Sequence, residues 1–141
     1  GPQVKWAREL SESLAVGLAA SAVWQDGQDG QDESPGYLGA TLLVPLSWHA
    51  AEDWWVHLNL GRDLIEHGPD ATRGGIELEW APGEHWSFIA ERFHESRADF
   101  ARLGARWCFG SGFSLDLSRA QGLGEERARW WSLGLSWQFD R

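Results

Sequence analysis

Along most of this chain every second residue is large and apolar. The clearest stretch is Trp131, Leu133, Leu135, Trp137 and Phe139, alternating with Ser132, Gly134, Ser136 and Gln138. A period of two is the signature of a β-strand with one apolar face. The same alternation predicts eight strands: Glu12–Trp24, Tyr37–Trp48, Trp54–Arg62, Gly74–Ala81, His85–Phe93, Ala98–Phe109, Phe113–Ser118 and Ala128–Phe139. Abundant Gly and strict alternation both disfavour helices. Gln3–Ser11 reads as an irregular or short helical lead-in, so residues 1–11 stand apart from a single domain over 12–141. Gly1-Pro2 resembles the scar a protease leaves when a tag is removed. The chain has no Met, so any export signal lies outside it.

Sorted by face, one side of the predicted sheet carries Leu, Val, Ala, Phe and Trp almost free of charge. The other carries Ser13, Gly17, Ser21, Thr41, Ser47, Ser118 and a charged set: His57, Asn59, Glu77, Glu79, Glu91, Arg102, Arg106 and Asp116. A soluble antiparallel barrel also has two faces, so alternation alone does not decide which one is inside. Three features favour the apolar face outward, toward lipid. Trp clusters at strand ends (Trp24, Trp48, Trp54, Trp80, Trp86, Trp107, Trp131 and Trp137), as in the aromatic girdles of membrane barrels. The polar face has small residues and compact charges, and the only Lys is Lys5, outside the predicted strands. Short connections at 49–53, 82–84 and 110–112 alternate with long polar ones at 25–36, 63–73 and 119–127, with 94–97 as an exception. Membrane barrels pair short periplasmic turns with long external loops in this way. Starting the first predicted strand at the periplasm puts every short turn, and both termini, on that side.

The terminal strand resembles the closing strand of Gram-negative outer-membrane barrels. The segments LGARWCFGSGFSLDLSRAQGLG and RWWSLGLSWQF resemble the last hairpins of transporter-like outer-membrane proteins of the phenol meta-pathway type. That resemblance implies passage of a small hydrophobic solute. An eight-stranded barrel, however, has an interior that side chains fill. The expected architecture is an eight-stranded antiparallel up-and-down transmembrane barrel in the bacterial outer membrane, with outer-membrane lipids as its partners. Its expected role is non-enzymatic, porin-like narrow transport or structural.

Composition narrows the picture. Eleven Trp against one Tyr is a heavy load of amphipathic rings for a 141-residue chain. A net charge of −9 argues against nucleic acid, whose phosphates would be repelled. One Cys, Cys108, forms no internal disulfide; it is placed as a small packed residue on the polar face. The acidic loops hold Asp26, Asp29, Asp32, Glu33, Asp63, Glu66, Asp70, Glu125 and Glu126. The Gln-Asp-Gly tract lacks the closing Glu of an EF-hand.

The inward charges read either as a salt-bridged filling of the interior or as a polar pathway with Arg102 and Arg106 facing the three Glu. An alternative chemistry is a lipid-modifying hydrolase. His94-Glu95-Ser96 resembles the His-x-Ser dyad of the eight-stranded lipid A deacylases, with Ser96 as nucleophile, His94 as base and Asp99 or Glu95 as orienter. The Asn-Ala and Asn-Pro-Gly context of that family is absent here. A third reading is a soluble barrel with the faces inverted, binding an apolar ligand. His49, His57, His67 and His85 show no metal-ligand spacing, and no phosphate-binding loop is present, so neither metal nor cofactor is expected.

Overall fold

A computed structural model describes residues 3–25, 36–110, 112–125 and 127–137. The described chain is all-β. It forms one antiparallel up-and-down sheet of nine strands whose spatial order is the order of the sequence: β1 (Gln3–Ser11), β2 (Leu14–Gln25), β3 (Gly36–Ala51), β4 (Trp54–Ile65), β5 (Ala71–Trp80), β6 (Trp86–Glu95), β7 (Ala98–Phe109), β8 (Phe113–Gly122) and β9 (Arg129–Trp137). β1 and β9 are the two ends of the sheet, and no backbone pairing joins them among the described residues.

The expected count of eight strands is corrected to nine. Gln3–Ser11 is not a lead-in but a strand, pairing antiparallel with β2 from Gln3↔Ser21 to Ser11↔Leu14. Its apolar residues Val4, Trp6 and Leu10 alternate with Gln3, Lys5 and Glu9, a period-two signal weakened by Arg8 on the apolar side. The extra strand also moves Gln3 to the end of the sheet that bears the long connections. Several strands run further than their apolar residues do. β4 continues to Ile65, β5 begins at Ala71, β6 reaches Glu95 and β8 reaches Gly122. Asp63 therefore belongs to β4 rather than to a loop. Ladder hydrogen bonds extend a strand whatever its side chains, so polar residues at strand ends escape a hydropathy pattern.

Short turns join the strands at one end: Glu52-Asp53 between β3 and β4, for example. At the other end lie 26–35, which falls outside the described residues together with its Gln-Asp-Gly tract, then 66–70, 96–97 and 123–128. Ser96 and Arg97 both take left-handed backbone angles (φ 51° and 64°), as a two-residue type I′ hairpin turn requires.

The apolar face is the exposed one. Leu60 and Leu103 are each 68% accessible, Leu133 is 73% and Leu135 68%. The polar face is sheltered: Asp63, Glu77, Glu79, Glu91, Arg102 and Asp116 are all half-buried, and Ser87 is buried. Only a few apolar residues are buried, among them Ala19, Ala71, Phe93, Phe100 and Ala120. A globular protein in water shows the opposite arrangement, with Leu inside and carboxylates outside.

Candidate functional site

The sheltered face of β4–β8 gathers the ionisable side chains. Because each strand pair keeps its register, odd positions of β4, β5 and β6 and even positions of β7 and β8 all turn inward. His57 pairs with Glu77 across the β4–β5 ladder, and Glu77 with Glu91 across β5–β6. His57 Nε2 lies 3.1 Å from Glu79 Oε2, and His57 Nδ1 lies 2.8 Å from Ser47 Oγ. A neutral imidazole has one donor and one acceptor nitrogen. With Nε2–H donating to Glu79, the Ser47 hydroxyl donates to Nδ1.

Further along, Arg102 meets Glu91 at 3.2 Å. Glu91 Oε2 and Arg102 Nε are nonetheless buried without a hydrogen bond. The Coulomb contact is made, but the fork is misaligned. Arg106 Nε donates to Asp116 Oδ1 at 2.6 Å. Arg102, Arg106 and Asp116, with Glu77, Glu79 and Ser87, border a cavity of about 280 Å³. A second cavity, of about 210 Å³, is bordered by Asn59, Glu91 and Arg102.

Every member of the expected polar cluster thus lies on one wall. Asn59 joins it as a lining residue only. The sequence pattern missed a second group, one level closer to the long connections. Arg73 Nη2 donates to Glu95 Oε1 at 2.6 Å, its Nε lies 3.0 Å from Asp63 Oδ1, and Thr41 Oγ1 donates to the same Asp63 oxygen at 2.7 Å. Arg73, Asp63 and Glu95 all sit where the apolar alternation had already ended. Continued parity past Arg62 and Phe93 was the available signal.

Aromatic rings bound the sheltered face at both ends. Toward the short turns, His49 stacks on Trp55 with centroids 4.1 Å apart, and Trp55 on His57 at 6.4 Å. Toward the long connections, Phe93, Phe100 and Trp130 form a cluster, with Phe93 and Phe100 5.2 Å apart and the Arg102 guanidinium 4.8 Å over the Phe93 ring. Cys108 is half-buried on β7, opposite Ser114.

On the exposed face, rings make a continuous run from β4 to β9 at the short-turn end. Trp54, Trp80, Phe88, Trp86, Trp107, Phe109, Phe113 and Trp137 follow one another with centroids 4.8–6.1 Å apart. Trp48 belongs to the same end, exposed near the close of β3. Trp131 does not, standing near the start of β9 at the opposite end. The Trp24 backbone closes β2 there, and its side chain lies outside the described set.

Two further sets of side chains bear on chemistry. The His94 ring and Asp99 carboxylate are 3.0 Å apart on the exposed face, the base–orienter half of a triad. Ser96 occupies the adjoining turn and makes no side-chain hydrogen bond with His94. For metal binding, His57, Glu77 and Glu79 bring one nitrogen and two carboxylate oxygens within 4.8 Å of one another. This grouping runs across two strands, which is why linear spacing did not show it.

The model of the family described as Uncharacterised conserved protein UCP029691 matches residues 2–139. No curated protein and no solved structure matches the chain.

Proposed function

The chain belongs to that family, and we propose that it is a non-enzymatic outer-membrane β-barrel with a narrow, polar, cation-preferring interior. One observation carries the reading: large apolar side chains cover the exposed face while ion pairs line the sheltered one. Water gives no reason to expose Leu117, Leu133 and Leu135 side by side, since contiguous apolar patches of that kind mark contact with another apolar phase. Hydrocarbon does. The ring run at the short-turn end suits the interfacial belt of such a protein.

In hydrocarbon the free edges of β1 and β9 would each leave a row of unpaired backbone groups, at several kcal/mol per group. Closure of the sheet follows as part of the proposal. β1 and β9 run in the same direction, so a seam directly between them is parallel.

The interior has two unlike walls. On β4–β8, the carboxylates Asp63, Glu77, Glu79, Glu91, Glu95 and Asp116 outnumber the guanidiniums Arg73, Arg102 and Arg106 two to one. On β1–β3, the inward residues include Ala7, Ala15, Gly17, Ala19, Ser21, Thr41 and Ser47, with the larger Gln3, Lys5 and Glu9 on β1 and Leu43 and Pro45 on β3. The ion pairs join neighbouring strands rather than bridging the interior. The small residues of β2 facing a charged wall leave a slim hydrated space, and its acidic balance stands because inward Lys5 and Glu9 offset each other.

The test is reconstitution of the folded chain. Insertion into phosphatidylcholine vesicles and a heat-modifiable band on gels are expected. In planar bilayers under a KCl gradient, small currents with a cation-selective reversal potential are expected, and Glu77→Gln/Glu79→Gln should move that potential toward zero. Insertion without current would leave a structural barrel. A chain that stays in water, compact and monomeric, would overturn the membrane reading.

A further inference from the structure

Charge on the exposed face is not scattered. On β4, β6 and β8 alike, the residue three before the strand's last is an arginine on that face: Arg62 before Ile65, Arg92 before Glu95 and Arg119 before Gly122. Arg129 opens β9 on the same face, opposite Gln121. All four stand at the end of the sheet bearing the long connections. At the other end the same face carries the aromatic run, with Arg8 on β1 its only basic side chain among the described residues.

Arg62 is already paired, 3.2 Å from Asp70. Arg92, Arg119 and Arg129 form no ion pair among the described residues. The Arg119 guanidinium instead lies 5.5 Å from the Trp131 ring centre. An arginine on a lipid-facing wall is costly at the midplane and nearly free at the interface. Trp86 and Arg92 are six residues apart on β6, which is about 20 Å of strand and roughly 15 Å of height at the tilt of a barrel strand. The long stem carries the charge further toward the head groups. The guanidiniums of this rim therefore sit roughly 15 Å and a side-chain stem above the rings, toward the far side of an apolar band about 25 Å tall.

Beside them is a place for an acyl chain. A cavity of about 500 Å³ opens on the exposed face, lined by Ala101, Leu103, Leu117, Arg119, Gln121 and Trp131. Small Ala101 stands level with Arg92 on one side and Gln121 on the other, leaving a cleft between the larger side chains. The cleft is apolar along Leu103 and Leu117; Arg119 lines its rim, Arg92 and Arg129 flank it, and the nearby Asp99 is engaged by His94. Guanidinium forks match phosphate oxygens bidentately.

We infer that this rim binds a phosphate-bearing lipid of the leaflet on the long-connection side. Its phosphate meets Arg92, Arg119 and Arg129, and one chain lies along Leu103 and Leu117. The inference rests on the membrane reading above. A chain of net charge −9 repels free anions in water. A lipid arrives sideways, held by its own hydrocarbon, so the local rim decides.

The folded full chain in phosphatidylcholine vesicles is titrated with chain-brominated lipids, and tryptophan quenching is read; Trp131 lies on the cleft. Brominated phosphatidylglycerol should bind about fivefold or more tightly than brominated phosphatidylcholine, the size expected for one basic side chain near an anionic surface. The preference should fall near unity in Arg92→Gln/Arg119→Gln/Arg129→Gln. Should that variant fail to fold, the wild-type preference must shrink from 0.1 M to 1 M salt, where charges are screened within ~3 Å. A third arm uses lipid A; preference above phosphatidylglycerol assigns the partner as the phosphorylated glycolipid, and equal preference assigns any phosphate lipid. Equal quenching by anionic and zwitterionic lipid in the wild type overturns the inference while leaving the membrane reading intact. Failure to insert in any vesicle overturns both.

Discussion

Leu133→Arg separates a lipid-facing wall from a water-facing one by sign as well as size. Leu133 is 73% accessible on β9, opposite Leu117 and between Trp131 and Leu135 on the exposed face. In water, replacing so open a leucine by arginine removes little buried area and falls within about 0.5 kcal/mol of neutral. In hydrocarbon the leucine contributes most of its transfer free energy, roughly 1.5–3 kcal/mol. An arginine near mid-height of an outer-membrane barrel costs about 2–4 kcal/mol. The expected loss is therefore about 3.5–7 kcal/mol, several hundredfold or more in the folding equilibrium. Gln121→Arg, on the same face at the head-group rim, supplies the depth control and should cost about 0–1 kcal/mol. Reversible guanidinium unfolding in phosphatidylcholine vesicles, followed by tryptophan emission, measures both. A Leu133→Arg chain as stable as the parent, or a Gln121→Arg chain equally damaged, would refute the assignment of the exposed face to lipid.

Gly17→Leu tests the small wall. A Cβ at Gly17 already lies 2.9 Å from both Pro45 Cγ and the Trp6 carbonyl oxygen, so the larger side chain should cost about 1–3 kcal/mol by overpacking, read as a lower denaturant midpoint. Cys108 tests whether the sheltered face is wet. A small cationic methanethiosulfonate should label it in folded protein in vesicles within minutes, whereas a bulky maleimide-polymer should not. No labelling until the chain is unfolded would mean a dry interior.

How far the fold was legible follows from what each element is made of. β7 was placed to the residue because Ala98 and Phe109 fall at changes in alternation and Gly110 breaks the ladder beyond. β1 was lost because Arg8 stands on its apolar side, leaving only Val4, Trp6 and Leu10 to carry the period. The Arg73–Asp63–Glu95 group was lost for a related reason: a strand past its last apolar residue has no hydropathy signal, although its backbone pairing continues. The cluster around His57, Glu79, Arg102 and Asp116 was found because each member sits between two apolar residues. What sequence could not supply was who pairs with whom, since Ser47, His57 and Glu79 meet only through register.

The exposed-face arginines show how one register constraint sets two levels of organisation. Neighbouring strand ends are staggered, so Arg92 lies level with Ala101, Gln121 and Arg129, while Arg119 lies level with Leu103 and Trp131, and Arg62 with Thr72. Arg62, Arg92 and Arg119 instead each stand three residues before their own strand's end, while Arg129 stands at the start of β9. The Trp and Phe run keeps the corresponding distance from the short turns. A mean hydropathy of −0.41 records none of this, because it averages an exposed wall of leucine with a sheltered wall of charge. The information lies in parity along each strand and in distance from its end, and these two coordinates place a side chain on the exposed face, on the sheltered face or at the rim near the long connections.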